Sequence, residues 1–195
     1  EILNNYGRIF SEYVFSQDFR NEKLANYLSV NGQKYLDDII KKQKKVVFIS
    51  GHFNNFELMA MQLEKYGVNL AAIYRPLNNI FLNKTMEKIR TNFICRKQIK
   101  KGRSGSRELV KNFKEGSSVA LMIDQRVREG ISVPFFQKSC STTTIPAQLV
   151  KKYECEIVPI YIERKKNHFF EMTVSQPLIF DKSLSIDDIS VELNK

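Results

Sequence analysis

The residues with the clearest chemical potential are a histidine and a glutamate five positions apart. His52 is one of only two histidines in the chain, and Glu57 follows it in the segment Gly-His-Phe-Asn-Asn-Phe-Glu. On an uninterrupted helix five residues turn through roughly 500°, so the two side chains would point apart. They converge only if His52 lies in a loop and Glu57 in the first turn of a helix. Such a pair could act as a general base held by a carboxylate.

The residues around this pair predict the strand, loop and helix that it requires. Residues 46–50 form a short, apolar, β-branched run, which is typical of a central strand. Gly51 ends the run, and residues 56–66 then have one apolar helical face that stops at Gly67. We therefore expect the pair at the carboxyl end of a strand, where α/β sheets usually hold their sites.

Two further polar residues stand where predicted strands end. Arg75 follows the strand predicted over 69–74, and Asp124 ends the one predicted over 118–124. The carboxyl ends of parallel strands gather at one edge of a sheet, so both residues could meet His52 there.

Each of these residues also has a simpler interpretation. Asn54 and Glu57 fit a variant of the helix capping box, with His52 as an ordinary loop residue. Arg75 precedes a proline and could be a solvated loop residue, and Asp124 could cap a turn. The coincidence of three polar strand ends favours a shared site.

Strands alternate with helices along the whole chain. This alternation predicts an α/β fold with a mainly parallel sheet flanked by helices, in a single domain over residues 1–195. We expect the strand over 169–176 at the outside of the sheet, and the turn before it allows an antiparallel orientation. The other predicted elements are helical segments within 1–43, helices over 79–94, 107–114 and 144–153, a loop or edge strand over 133–136, a strand over 157–163, and a final helix opening at Asp187 and cut off by the chain end.

A basic, glycine-containing connection over 95–107 and the residues after it concentrate positive charge. The chain has a formal charge of +10, and seven of its cations lie between residues 96 and 111. The segment matches neither a P-loop nor a dinucleotide fingerprint, and it lacks the interleaved aromatics of single-strand nucleic-acid binders. It could bind phosphates or an acidic protein, or it could be a solvated loop. The candidate substrate-binding residues are Lys100, Lys101, Arg103 and Arg107.

Composition excludes several classes of protein. The chain of 195 residues is 43% hydrophobic, so it is neither disordered nor fibrous. Its three cysteines and two histidines show no zinc spacing, and we expect neither a metal nor a cofactor. No segment has the roughly 20 apolar residues that a membrane span needs. Because the chain starts without Met inside a predicted helix, we expect a fragment that lacks an N-terminal membrane anchor and a C-terminal end.

An ordered set of short motifs resembles the lipid A late acyltransferase family, the lauroyl/myristoyl acyltransferases of lipopolysaccharide synthesis. Single motifs are weak, but their order is specific, and the resemblance covers roughly residues 5–190. The family is related in architecture to the glycerol-phosphate acyltransferases. The matching segments are G-H-F-N-N-F-E (51–57), Y-R-P (74–76), G-R-S-G-S-R (102–107), D-Q-R (124–126), V-P-F-F (133–136), T-T-I-P-A (143–147) and I-V-P-I-Y-I (157–162).

The resemblance implies a bacterial inner-membrane enzyme that acts on the cytoplasmic side. It would transfer a fatty acyl chain from acyl carrier protein to a hydroxyl on an acyl chain of the lipid A precursor, with no nucleic-acid partner. The family's histidine–acid pair falls on His52 and Glu57, and its other motifs fall on Arg75 and Asp124. The resemblance makes His52 the general base, Glu57 its orienting acid and Arg75 a candidate oxyanion donor.

The sequence departs from the family in two ways. We expect that the family's N-terminal membrane helix and tryptophan-rich C-terminal end lie outside these residues, which contain no tryptophan, and Gln137 stands where many relatives carry glycine. Two other interpretations stay open. One is a basic module that binds nucleic acid or an anionic membrane without chemistry, and the other is a hydrolase of the same fold.

Overall fold

The centre of the protein is a seven-stranded sheet. The structure, a computed structural model, describes residues 2–195 apart from the side chains of Ile2 and Arg103. A separate two-stranded hairpin lies beside the sheet. The sheet strands are β1 (Leu28–Asn31), β2 (Val47–Ser50), β3 (Leu70–Tyr74), β4 (Lys97–Lys100), β5 (Ser118–Met122), β8 (Ile157–Arg164) and β9 (Phe170–Val174), and the hairpin strands are β6 (Ile131–Phe135) and β7 (Lys138–Thr142).

The sheet is mainly parallel, as predicted. Its strand order is β1-β9-β8-β2-β5-β3-β4, and the five strands from β8 to β4 run in one direction. Strand β9 is antiparallel to β8, but it is not the outer strand that the sequence predicted, because β1 pairs with it in parallel and takes the edge of the sheet. The carboxyl ends of β2, β3, β4, β5 and β8 therefore lie along one edge, here called the carboxyl edge.

Helices cover both faces of the sheet, and two of them lie at the carboxyl edge. Phe48 of β2 packs with α2, α3 and α4 on one face, whereas Val47 and Ile49 pack with α6, α7 and α8 on the other. This alternation of side chains across a strand explains why all four residues of β2 are buried. The helices are α1 (Ile2–Glu12), α2 (Ser16–Arg20), α3 (Gln33–Lys41), α4 (Phe56–Lys65), α5 (Ile80–Ile89), α6 (Arg103–Lys114), α7 (Ile145–Tyr153) and α8 (Ile186–Glu192).

Helix α1 crosses the carboxyl edge next to α5. Its Asn5 side chain donates to the backbone carbonyl of Asn54, which follows β2, and Glu12 forms an ion pair with Arg164 at the end of β8. Buried apolar side chains of α1 and α5, including Ile9 and Met86, pack together. The two helices therefore form a wall beside the ends of the strands. Among residues 2–195, no helix combines the length and apolar character needed to cross a bilayer.

The long apolar elements were predicted well, and the short polar strands were missed. β4 falls inside the predicted basic connection, because only Ile99 of its four residues is buried. β1 was missed because it is a four-residue edge strand with alternate residues exposed. The strand predicted over 133–136 is β6, and its partner β7 was missed because its residues are mostly hydroxyl-bearing.

Two helix predictions were wrong at their ends. Helix α6 begins at Arg103, four residues before the predicted start, because Gly105 belongs to the helix rather than to a loop. A Cβ on Gly105 would lie 1.9 Å from the carbonyl oxygen of Lys100, so the close approach of α6 to β4 requires glycine there. Helix α8 begins at Ile186, one residue before the predicted start, and ends at Glu192; a capping box between Ser185 and Asp188 opens it.

Candidate active site

His52 and Asp124 meet because their strands pair in register. Ser50 of β2 lies opposite Met122 of β5, and each polar residue follows its strand end by two positions. The backbone N–H of Ile123 donates to the carbonyl of Ser50 at 2.9 Å, which carries the pairing one residue further. Two residues 72 positions apart in sequence are thereby brought to the same level of the carboxyl edge.

Asp124 holds His52 at two points. Nδ1 of the imidazole lies 2.7 Å from Oδ1 of Asp124, and the backbone N–H of His52 donates to Oδ2 at 2.8 Å. An ionised carboxylate only accepts hydrogen bonds, so Nδ1 carries the proton when the imidazole is neutral. Nε2 is then free to accept a proton. The side-chain amide nitrogen of Gln125 lies 3.5 Å from it.

The hydrogen bonds from His52 keep Asp124 ionised. Partial burial would raise the pKa of Asp124, but the side-chain and backbone hydrogen bonds from His52 outweigh burial and lower this pKa below its usual value of 3.8. A depressed folded-state pKa stabilises the fold above the unfolded-state value, and this contribution is lost as pH falls through the folded-state pKa. At neutral pH the carboxylate is therefore available to orient the imidazole.

The predicted role of Glu57 as the orienting acid is corrected by this geometry. Glu57 does lie in the first turn of α4, as predicted. The N-cap residue of this helix is Asn55 and not Asn54, and the Asn55 side chain makes no capping hydrogen bond. The Glu57 carboxylate accepts hydrogen bonds from Arg90 Nη2 at 2.6 Å and Nε at 2.9 Å, and from the Tyr13 hydroxyl. The acid nearest in sequence thus stabilises packing, while a distant acid holds His52.

The Tyr13–Glu57–Arg90 cluster ties three elements together beneath His52. Tyr13 follows α1, Glu57 opens α4, and Arg90 begins a π-helical turn that continues α5 to Ile94. Burial would lower the pKa of Arg90, but the Glu57 carboxylate beside it raises this pKa above its usual range. Burial and the same carboxylate raise the pKa of Tyr13. The guanidinium is therefore fully charged, and its Nη1 has no hydrogen-bond partner among the described residues.

Sequence reasoning overlooked Arg90, although a signal was present. Met86, Arg90 and Ile94 are spaced four apart, and the two apolar residues are almost completely buried. A charge on the buried stripe of a helix is rarely tolerated without a partner. This pattern predicts a buried acid nearby, and Glu57 supplies it.

A cavity of about 560 Å³, here called cavity 1, opens beside His52. Its volume lies within the usual range for small-molecule sites. The inner wall is apolar, with Phe48, Met59 and Ile94, and three alanines, Ala60, Ala72 and Ala120, leave space between the sheet and α4.

Three of the predicted cations line cavity 1. Arg75 and Lys101 are exposed, and Lys100 forms an ion pair with Glu87 at 3.2 Å. These three side chains and His52 therefore line one cavity. Of the three cations, only Arg75 was predicted to meet His52 at the strand ends. Arg107 is exposed on α6 and does not line the cavity, and the Arg103 side chain lies outside the described residues. Among residues 2–195 there is no group of three His, Cys, Asp or Glu side chains that could hold a metal ion.

The model of one protein family matches the chain. It is described as bacterial lipid A biosynthesis acyltransferase, and the match spans residues 1–195, the whole chain. A comparison with curated proteins gave no match.

The buried ion pair should be essential for stability. We expect Glu57→Gln to lower the free energy of unfolding by about 3–5 kcal/mol, because the Arg90 charge is then buried without its partner. The double variant Glu57→Gln/Arg90→Met should recover part of this loss, since no buried charge remains. Urea unfolding measures both. Glu154→Gln, which breaks an exposed pair with Lys182, is the control and should change stability by less than about 1 kcal/mol.

An equal, small effect of Glu57→Gln and Glu154→Gln would show that the buried pair does not hold these elements together.

Proposed function

This chain belongs to the bacterial lipid A biosynthesis acyltransferase family, and on that premise we propose that it transfers a fatty acyl chain from acyl carrier protein to a hydroxyl of the lipid A precursor. His52 acts as the general base, and Asp124 orients it. The observation that carries this proposal is the Asp124–His52 hydrogen bond, which leaves Nε2 free beside an apolar cavity.

The chemistry needs a base more than a nucleophile. An alkyl hydroxyl is too weak an acid to attack a thioester unaided, and a positioned base typically supplies about 10²–10⁴-fold. Nε2 of His52 removes the hydroxyl proton as the oxygen attacks the thioester carbonyl. Asp124 stabilises the imidazolium that forms. When the tetrahedral intermediate collapses, the C–S bond breaks and the proton returns to the departing thiolate, which leaves an ester and a free thiol.

The oxyanion of that intermediate needs hydrogen-bond donors. Arg75 lines cavity 1 with His52, and the first turn of α4 lies close by, since the Phe56 ring packs edge-on against the imidazole with centroids 4.9 Å apart. A guanidinium or free N–H groups at a helix start are suitable donors to a developing negative charge. We assign this role to Arg75 and the α4 N-terminus.

Cavity 1 is suited to the acyl chain. Its alanines and apolar side chains provide a wall without buried charge other than the Arg90–Glu57 pair. Methylene groups gain about 0.8 kcal/mol each when they leave water, so such a wall binds a long chain strongly. The cations at its opening would meet an acidic carrier protein or lipid phosphates.

The carboxyl edge has the character of a membrane-facing surface, and we propose that it docks on the cytoplasmic side of the inner membrane. The loops that follow the strands expose large apolar side chains, and α1 adds others beside them. Cations lie among them at Arg75, Lys100 and Lys101. Apolar side chains ringed by cations bind anionic bilayers. The exposed apolar residues of this edge are Leu3, Phe10, Val14, Phe53, Ile80, Phe81, Leu82, Phe135 and Phe136.

Removing the base or its orienting acid should abolish most turnover. We expect His52→Ala to reduce acyl transfer at least about 10²-fold, because no other group takes the hydroxyl proton. Asp124→Asn should act similarly, since an amide can donate to Nδ1 and leave the proton on Nε2. Product mass spectrometry with acyl carrier protein donors and a lipid A precursor measures both. His168→Ala, in an exposed turn, is the control.

Near-normal turnover by His52→Ala would overturn the general-base assignment. Release of free fatty acid without acceptor at the rate of acyl transfer would indicate a hydrolase instead.

The cations at the opening of cavity 1 should act in binding. We expect Lys100→Gln/Lys101→Gln to raise the KM for donor or acceptor and to weaken its dependence on salt, while turnover at saturation changes little. The matched control is Lys111→Gln/Lys114→Gln, which removes two exposed charges of α6 outside the cavity. A salt titration of initial rates compares them. Unchanged KM and salt dependence would make these lysines a solvated surface, and salt-sensitive binding of nucleic acid lost in the first variant would favour the non-catalytic module.

Membrane docking can be tested with two equally exposed apolar residues. Phe81 at the carboxyl edge is 79% exposed, and Ile179 at the opposite edge is 80% exposed. We expect Phe81→Ser to weaken binding to anionic vesicles by about tenfold or more, because burying an aromatic side chain contributes about 1.5–3 kcal/mol. Ile179→Ser should leave binding unchanged. Vesicle flotation measures both, and equal losses would place the membrane contact elsewhere.

A further inference from the structure

A second cavity lies behind the His52–Asp124 pair. It has a volume of about 810 Å³ and is here called cavity 2. It lies between the ends of β2 and β5, the middle of β8 and the hairpin β6–β7. Asp124 lines cavity 2, whereas His52 lines cavity 1. The two cavities share Ser50, Gln125 and Ile160. The two cavities therefore adjoin at these residues, and one of them, Gln125, has its amide nitrogen 3.5 Å from Nε2 of His52.

The wall of cavity 2 is less polar than its residue types suggest. Ser132 and Ser139 share one hydrogen bond across the hairpin, at 2.5 Å. Ser141 donates to the carbonyl of Val127 at 2.7 Å, and Thr142 accepts from Asn194 at 2.9 Å. These hydroxyls are thus engaged within the protein. The remaining wall consists largely of apolar side chains such as Ile49, Ile123, Phe135 and Pro159.

Charge also distinguishes the two cavities. Cavity 1 has four cations on its wall. Arg90 is buried and paired with Glu57, whereas Arg75, Lys100 and Lys101 are exposed. The charged residues lining cavity 2 are Arg126 and Asp124, and Asp124 is already engaged by His52. A phosphate or an acidic protein would therefore favour cavity 1, and cavity 2 is better suited to hydrocarbon.

Partly exposed aromatic residues line cavity 2. Phe53 is 51% exposed, Tyr161 42% and Phe135 37%, and all three line the cavity. Phe135 and Phe136 pack edge to face at the tip of the hairpin, with ring centroids 4.7 Å apart. Exposed apolar rings at a cavity are typical of a site that an apolar ligand enters.

We propose that cavity 2 binds the hydrocarbon tail of the acceptor, while cavity 1 binds the tail of the donor. This inference rests on the proposed function. A hydroxyl within an acyl chain carries a tail of its own, so its ester has two tails that diverge from one carbon–oxygen bond. Two apolar cavities that adjoin at Gln125 match such a product. The acceptor is a lipid, and it reaches the cavity with exposed rings, whereas the donor carrier meets the cations of cavity 1.

Filling each cavity separately tests this assignment. Cys140→Phe narrows cavity 2, and Ala60→Phe narrows cavity 1. Mass spectrometry follows wild type and variants with donors of several chain lengths and with precursors whose hydroxyacyl chains are long or short. We expect Cys140→Phe to reduce kcat/KM for long-tailed acceptors at least about tenfold relative to short-tailed ones, the effect of losing two or more buried methylenes. Donor chain preference should not change. Ala60→Phe should change donor chain preference and leave the preference for acceptor tail length unchanged.

A shift of donor chain preference by Cys140→Phe would overturn the assignment. A Cys140→Phe variant with a higher KM for the donor, whatever the acceptor, would also overturn it. That result would place the carrier's prosthetic group, which bears the thiol, in cavity 2. If Cys140→Phe does not fold, Ser139→Leu, at an exposed position of the same wall, replaces it.

A binding measurement keeps this proposal separate from catalysis. Calorimetry with a glucosamine that carries one 3-hydroxyacyl chain reports tail binding without turnover. We expect Cys140→Phe to weaken binding of this probe about tenfold and Ala60→Phe to leave it unchanged. Binding that survives in a wild type without transferase activity would overturn the proposed function alone, and binding insensitive to Cys140→Phe would overturn the tail assignment alone.

Discussion

The site depends on the in-register pairing of β2 with β5. These strands are buried, neighbouring and parallel, so the residues two positions beyond their ends lie at one level of the carboxyl edge. The pairing is stabilised by apolar side chains on both faces, far from any substrate. A shift of register by one residue would turn every side chain of β2 to the other face and would separate His52 from Asp124. The strand register that packs the core therefore also sets the geometry of His52 and Asp124.

Two carboxylates near His52 have different roles because their surroundings differ. Asp124 is partly exposed and bound to an imidazole that can gain and lose a proton. Glu57 is buried against a guanidinium that stays charged and a tyrosine whose pKa is raised. The Asp124–His52 pair can therefore take part in proton transfer, whereas the Glu57–Arg90–Tyr13 cluster keeps its charges. Glu57 supports the site by fixing α1, α4 and α5 around cavity 1.

The sequence predicted the strands and helices that bury long apolar runs, because burial imposes the periodicity that prediction uses. It also predicted which strand ends carry His52, Arg75 and Asp124. It did not predict the partner of His52, since proximity along the chain favoured Glu57, and strand order depends on contacts between distant segments. The polar strands β4 and β7 were missed because backbone pairing, and not apolar side chains, defines them. Arg90 shows that a charged residue on the buried face of a helix indicates a buried partner, even where no motif marks it.

The carboxyl edge concentrates features that a water-soluble surface would avoid. Exposed phenylalanines, three cations and the openings of two cavities lie around one imidazole. An enzyme that joins two lipid chains must bring both tails to one bond while keeping them out of water. In the proposed assignment the two adjoining cavities allow this, because each tail leaves the reacting atoms in its own direction and neither has to cross the other. Strand β2 contributes to both cavities, since Phe48 lines cavity 1 and Ile49 lines cavity 2, and His52 follows its end where the two cavities adjoin.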